Sequence, residues 1–181
     1  MATVAWKSGA TVGTDKLSNY ADECADALKS HLTTSDGQLA NVTANLITGL
    51  AACTFKVDAS PEPRKSYQGL FPLIHITPLG VKCHTEESRV LHVAVKLRLM
   101  IWCHHSDVDT AAQQVMRVAA SIESVLQQSP YSSSATWGHY INAGYPVDVE
   151  STDLEIAPGE LEDWYAGIIL TTSAIHSEGI D

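Results

Sequence analysis

The sequence predicts an α+β fold, a mostly antiparallel β-sheet sandwich with two principal helices packed on the sheet, plus a long hairpin. Three observations carry that reading. Residues 90–104, VLHVAVKLRLMIWCH, alternate so that Leu91, Val93, Val95, Leu97, Leu99, Ile101 and Cys103 share one face of an extended chain. Directly afterwards the period changes, and Val108, Ala111, Ala112, Val115, Val118, Ala119, Ile122, Val125 and Leu126 recur at helical spacing. Finally, the segments follow one another as helix, strand, strand, long strand, helix, strand, strand, with no internal repeat.

The first helix begins at Thr14 or Asp15, with Leu17, Tyr20, Ala21, Cys24, Ala25, Leu28, His31 and Leu32 on one stripe, and stops between Thr33 and Gly37. Lys16, Asp22, Glu23, Asp26 and Lys29 point away from that stripe. After a polar linker, Leu50 to Val57 alternates as a strand. The stretch DASPEPRK, Asp58 to Lys65, is a loop, and Phe71 to Thr77 is an edge or terminal strand bracketed by Pro72 and Pro78. The segment Leu79 to Arg89 holds the turn of a hairpin that feeds the long strand. Fifteen extended residues span about 50 Å at roughly 3.3 Å each, so part of that strand is expected to protrude or bend. Its other face carries His92, Lys96, Arg98, Trp102 and His104, a set suited to water or to another subunit.

Ser106 and Asp107 offer oxygens to cap the second helix, which runs from Asp107 to Gln128. The stretch SPYSSSATWGHYINAGYP is then a long loop bearing Tyr131, Trp137, Tyr140 and Tyr145. Val147 to Ile156, VDVESTDLEI, reads as one strand with an acidic outer face, and Pro158-Gly159 turns the chain. The last strand, Asp163 to Ile175, places Trp164, Ala166, Ile168, Leu170, Thr172 and Ala174 on one side. The expected domain plan is a flexible arm over residues 1–13, a single α+β domain over 14–176 and a tail over 177–181.

Composition narrows the functional classes. A chain of 181 residues with 45% hydrophobic content is long enough to bury one core. Eleven basic against 21 acidic residues give a formal charge of -10, which argues against a nucleic-acid binder that grips phosphate. Cys24, Cys53, Cys83 and Cys103 each lie in apolar or alternating stretches, which predicts reduced thiols rather than a disulfide framework. No secretory leader or membrane-spanning run is legible, so a soluble protein is expected.

No motif for a reaction emerges, and no catalytic, cofactor-binding or metal-binding residue is assigned. The sequence has no G-x-S-x-G elbow, no H-E-x-x-H and no phosphate loop ending in Gly-Lys-Ser/Thr. Cys83-His84 and Cys103-His104-His105 raise the possibility of zinc, but neighbouring residues on a strand point to opposite faces and converge poorly on one ion. The acidic pairs Asp148/Glu150 and Glu160/Glu162 read as solvated charge. The aromatic loop is the stronger candidate, because Trp and Tyr are favoured where surface is buried on assembly; folding back over the protein's own core is its simpler explanation.

The Pro-flanked strand FPLIHITP, the long strand VLHVAVKLRLMIWCHH, the Ala-rich helix DVDTAAQQVMRVAASIESVL, the acidic strand and the final strand together resemble the tail-terminator and tail-completion proteins of tailed bacteriophages. The resemblance spans residues 15 to 176 as a pattern of elements. It implies an α/β sandwich assembled as a hexameric ring in the virion neck, after synthesis in the bacterial host cytoplasm. Such a ring caps the tail tube and meets the head-side connector or stopper, while DNA passes through an acidic lumen without specific binding. It implies no enzyme activity, no cofactor and no membrane. Candidate contact residues for self-association or partners are Arg64, Tyr67, Glu86, Glu87, Trp102, Trp137, Tyr140 and Tyr145. The alternatives are a stopper or collar subunit of the same neck, or a small cytosolic enzyme or ligand-binding domain with the aromatic loop as a lid.

Overall fold

A computed structural model describes residues 4–5, 11–12, 17–33, 53–57, 71–86, 90–132, 137–141, 147–159 and 162–179. Within the segment expected as an arm, β1 (Val4–Ala5) and β2 (Thr11–Val12) form a short antiparallel pair. The body comprises α1 (Leu17–Thr33), β3 (Thr54–Val57), β4 (Leu73–Glu86), β5 (Val90–His105), α2 (Val108–Ser132), a 3-10 turn (Trp137–His139), β6 (Val149–Ser151), β7 (Glu155–Pro158) and β8 (Trp164–Gly179). The strands make one mixed six-stranded sheet ordered β3-β4-β5-β8-β6, with β7 also on β8. Only β3 and β4 run parallel; every other pair is antiparallel. Two helices on such a sheet make an α+β fold.

The alternation decides which face carries the core. Val93, Val95, Leu97, Leu99, Ile101 and Cys103 of β5 are each at most 1% exposed. In register with them stand Ile74 and Ile76 of β4 and Ala166, Leu170 and Ala174 of β8. Against this face lie α1, through Ala21, Cys24, Ala25, Leu28 and Leu32, and α2, through Ala111, Val115, Ile122, Val125 and Leu126. Full burial of a Leu, Ile or Val side chain stabilises by roughly 1.5–3 kcal/mol, so this two-layer core dominates the folding energy. Asp107 caps α2, its Oδ2 accepting from the backbone N and from Oγ1 of Thr110, both at 2.7 Å.

The elements differ from expectation at several points, among them the last strand, which runs to Gly179 rather than ending at Ile175. Of the strand expected from Leu50 to Val57, residues Leu50 to Ala52 lie outside the described residues, and Thr54–Val57 is strand. The segment read as a turn from Leu79 is strand as far as Glu86, because one extra residue is absorbed where the register shifts between Pro78 and Gly80. Pro78, which lacks an N–H, falls beyond the end of the short β3 ladder, where the outer edge of β4 needs no donor. The second helix continues to Ser132 rather than ending at Gln128.

The acidic segment is also two strands rather than one. Val149 pairs with Thr172 and Ser151 with Leu170, whereas Glu155 pairs with Gly167, so residues 152–154 carry one residue more than the facing stretch of β8. That extra residue reverses the parity and sets Ile156 opposite Ala166 on the helix side of the sheet.

Candidate interface surfaces

The described part of the aromatic loop, residues 137–141, turns inward. Trp137 is fully buried, its ring stacked on His31 of α1 at a centroid distance of 6.2 Å and tilted against Tyr140 at 6.5 Å. Tyr140 meets Tyr20 at 5.2 Å, and burial pushes its hydroxyl up to about 12. Ile141 and Val147 complete this corner of the core. Trp137 therefore secures the loop to α1 and offers no free surface, while Tyr140 stays partly exposed at the rim.

The face of the sheet away from the helices has two halves. In the half nearer the start of β4, Trp102 is only 9% exposed and Leu73 2%, with Phe71 and Met100 packed against them. The indole lies over Gly167, directly opposite on β8, where a Cβ would stand 2.2 Å from the ring. Beside it, His104 contacts Phe71 and Tyr165 at centroid distances of 5.6 and 4.7 Å, and its Nε2 lies 2.5 Å from Asp163 Oδ2. His75 and Thr77 of the same face are also buried.

The distal half is open. Register places Lys82, Ala94 and Ile175 in one row across β4, β5 and β8, then Gly80, Lys96 and Ser173; the next row, buried Thr77 with Arg98 and Thr171, continues to exposed Glu150 of β6. Lys82 and Lys96 are exposed, and Ile175 is 47% exposed despite its apolar side chain. No ion pair joins Lys82, Lys96 or Arg98 to an acid among the described residues. The sequence reading named Lys96 and Arg98 for this face and missed Lys82 and Ile175. Parity held the missing information, since Ile175 alternates with the inward Ala174 and Lys82 takes its face from the hairpin register.

Of the remaining candidates, Glu86 ends β4 opposite Val90. Arg64, Tyr67, Glu87 and Tyr145 lie outside the described residues. The His/Cys clusters do not meet: Cys83 is opposite Val93, about 33 Å along β5 from Cys103 at roughly 3.3 Å per residue. Cys103 faces the core, whereas the ring of His105 accepts from the backbone N of Asp107. Cys24, Cys53 and Cys103 form no disulfide with one another; burial raises all three, Cys53 to about 11 and Cys103 to about 12, which keeps them protonated at neutral pH.

No protein-family model matches the chain, and no curated protein matches it either. Among solved structures, a chain from the virion of a native gene transfer agent particle is similar at 10% identity and a TM-score of 0.42, covering 84% of this chain and 94% of that one. At that distance the likeness decides neither fold nor role, and both rest on the chain's own residues. Among the described residues no helix is long and apolar enough to cross a membrane.

Proposed function

We propose that this chain is a structural subunit of a tailed-phage-like virion, a tail terminator that forms a ring, caps the tail tube and joins it to the head-side connector without catalysis. The observation that carries the reading is the three-stranded blade of β4, β5 and β8. β5 is paired along its whole length with β8, from Val90 opposite Gly179 to His105 opposite Trp164. On the outer edge of β4 the β3 ladder ends at Ile76, and on that of β8 the β6 ladder ends at Thr172. Beyond those points, residues 77–86 and 173–179 have backbone edges with no partner strand among the described residues. Long unpaired edges on a buried-core sheet are templates for pairing with another chain, and a subunit that uses two different edges associates head to tail.

The formal charge of -10 supports a ring through which DNA slides without adhering. The reading assigns six copies, with the tail tube protein and a connector or stopper as partners. The purified chain should appear in negative-stain images as closed rings, and adding it to polymerising tail-tube protein should halt elongation with one ring at the tube end. Rings that bind a connector yet leave tube length unchanged would move the chain to the stopper or collar. A strict monomer that neither binds tube protein nor changes tube length would sink the proposal.

A further inference from the structure

Among the described side chains no three His, Cys, Asp or Glu gather at one point. The backbone register of the β4–β5 hairpin nevertheless places metal-binding residue types together near its end. His84 stands directly opposite His92, and Glu86 stands opposite Val90, one row further along the same face. Directly opposed residues of an antiparallel pair have Cβ atoms about 4.5–5.5 Å apart, and diagonal neighbours lie at roughly 7–8 Å. Parity assigns His84, His92 and Glu86 to the outer face with Lys82 and Lys96, whereas Val93 is buried on the helix side. Of the eight histidines, no other two are set opposite each other by the described ladders. In the sequence, His84 stands beside Cys83 and eight residues before His92, so only the ladder reveals the pair.

We propose that His84 and His92, with Glu86 in the adjoining row as a third ligand, bind one zinc-like transition-metal dication across the two strands. Two imidazoles carried on Cβ atoms at that spacing can span a single ion at Zn–N distances of about 2.0–2.1 Å. The neighbouring charges select the ligand. Glu86 on one side of the pair disfavours an anion. Lys82 in the next row, with Lys96 beyond it, disfavours calcium or magnesium, which depend on oxygen ligands and carboxylate charge. Neutral imidazole suits zinc, copper and nickel instead. The ion ties residue 84 to residue 92 and so clamps the end of the hairpin. This site neither needs the ring nor is needed by it.

Zinc titration of the full metal-free chain tests the site. By calorimetry, wild type should bind one equivalent of Zn²⁺ that His84→Ala and His92→Ala each weaken by roughly 10²-fold or more, because a two-point attachment becomes a one-point one. The double variant should be no weaker than either single one, the non-additivity expected of a shared site. Glu86→Gln should weaken binding by a smaller factor, and Cys83→Ser, at a position opposite Val93, should leave it unchanged. Far-UV circular dichroism of the metal-free variants checks that the fold persists. Wild type supplies a measurement free of any substitution: electron paramagnetic resonance of its one-equivalent Cu²⁺ complex should show coupling to the nitrogens of two imidazoles. Absence of stoichiometric zinc binding, undiminished binding in any of the His84, His92 or Glu86 variants, loss of binding in Cys83→Ser, or Cu²⁺ coupled to fewer than two imidazoles would each overturn the proposal.

Discussion

Single residues separate what holds the fold from what faces outward. Thr77 is 3% exposed, and its Oγ1 has no hydrogen-bond partner. A buried hydroxyl left unsatisfied costs about 1–3 kcal/mol, so Thr77→Val, of the same shape, should leave stability unchanged or raise it by about 1 kcal/mol in urea unfolding. A clear loss would mean that the hydroxyl is satisfied in solution. Gly167 works in the opposite sense, because the Trp102 ring occupies the space of its missing side chain. Gly167→Ala should destabilise by about 1–3 kcal/mol, and most of that loss should vanish in a Trp102→Ala background, which a double-mutant cycle reads directly. Asp107 adds a pH signature, since its bonds to Thr110 hold the carboxyl below its ordinary value of 3.8. A depressed folded-state value means that the contribution is complete above the ordinary value and disappears as pH falls through the lower folded one. The stability gap between wild type and Asp107→Ala should therefore be constant near neutrality and close in strong acid; a gap that persists there would exclude the charged cap.

At the scale of elements, periodicity was enough wherever the chain is regular. Among the described side chains, the stripe read for α1 is the stripe that is buried, and the alternation of β5 and β8 assigned their inward faces correctly. What parity could not foresee is a change of parity. In VDVESTDLEI nothing in the composition marks the extra residue, because Thr152 continues the ladder, donating its backbone N to Ile169 O and accepting from Ile169 N through its Oγ1. The aromatic loop posed a different problem, since Trp and Tyr favour a partner's surface and the chain's own core alike; only the position of His31 and Tyr20 on α1 resolves it. The bulge yields its own prediction. Asp153 is exposed, and removing it would let β6 and β7 run as one strand with Glu155 still opposite Gly167 and Leu154 still inward. Deleting Asp153 should thus cost less than about 1 kcal/mol, in the range of ordinary surface changes. A loss of several kcal/mol in thermal unfolding would show that the bulge itself holds Leu154 against the core.

For the whole molecule, the balance between net charge and its distribution decides how the protein meets DNA. The chain carries 21 acidic residues against 11 basic ones, and the face that holds Lys82, Lys96 and Arg98 also carries Glu150, opposite Thr171. Non-specific duplex binding requires several phosphate contacts at once and gives dissociation constants of roughly 10⁻⁴ to 10⁻⁶ M at physiological salt, even for proteins built for it. Three cations on a body of opposite net charge fall short of that, because the long-range field repels the duplex before the local cations engage. Fluorescence anisotropy of a labelled duplex should accordingly stay flat up to roughly 10⁻⁵ M protein at physiological salt. It should remain flat for the assembled ring as well, since assembly leaves the net charge of each subunit unchanged. If the isolated subunit bound the duplex and assembly abolished binding, the lumen would still be inert and the free subunit would be the species to explain. Tight binding by the ring would contradict passive passage of DNA and, with it, the terminator reading.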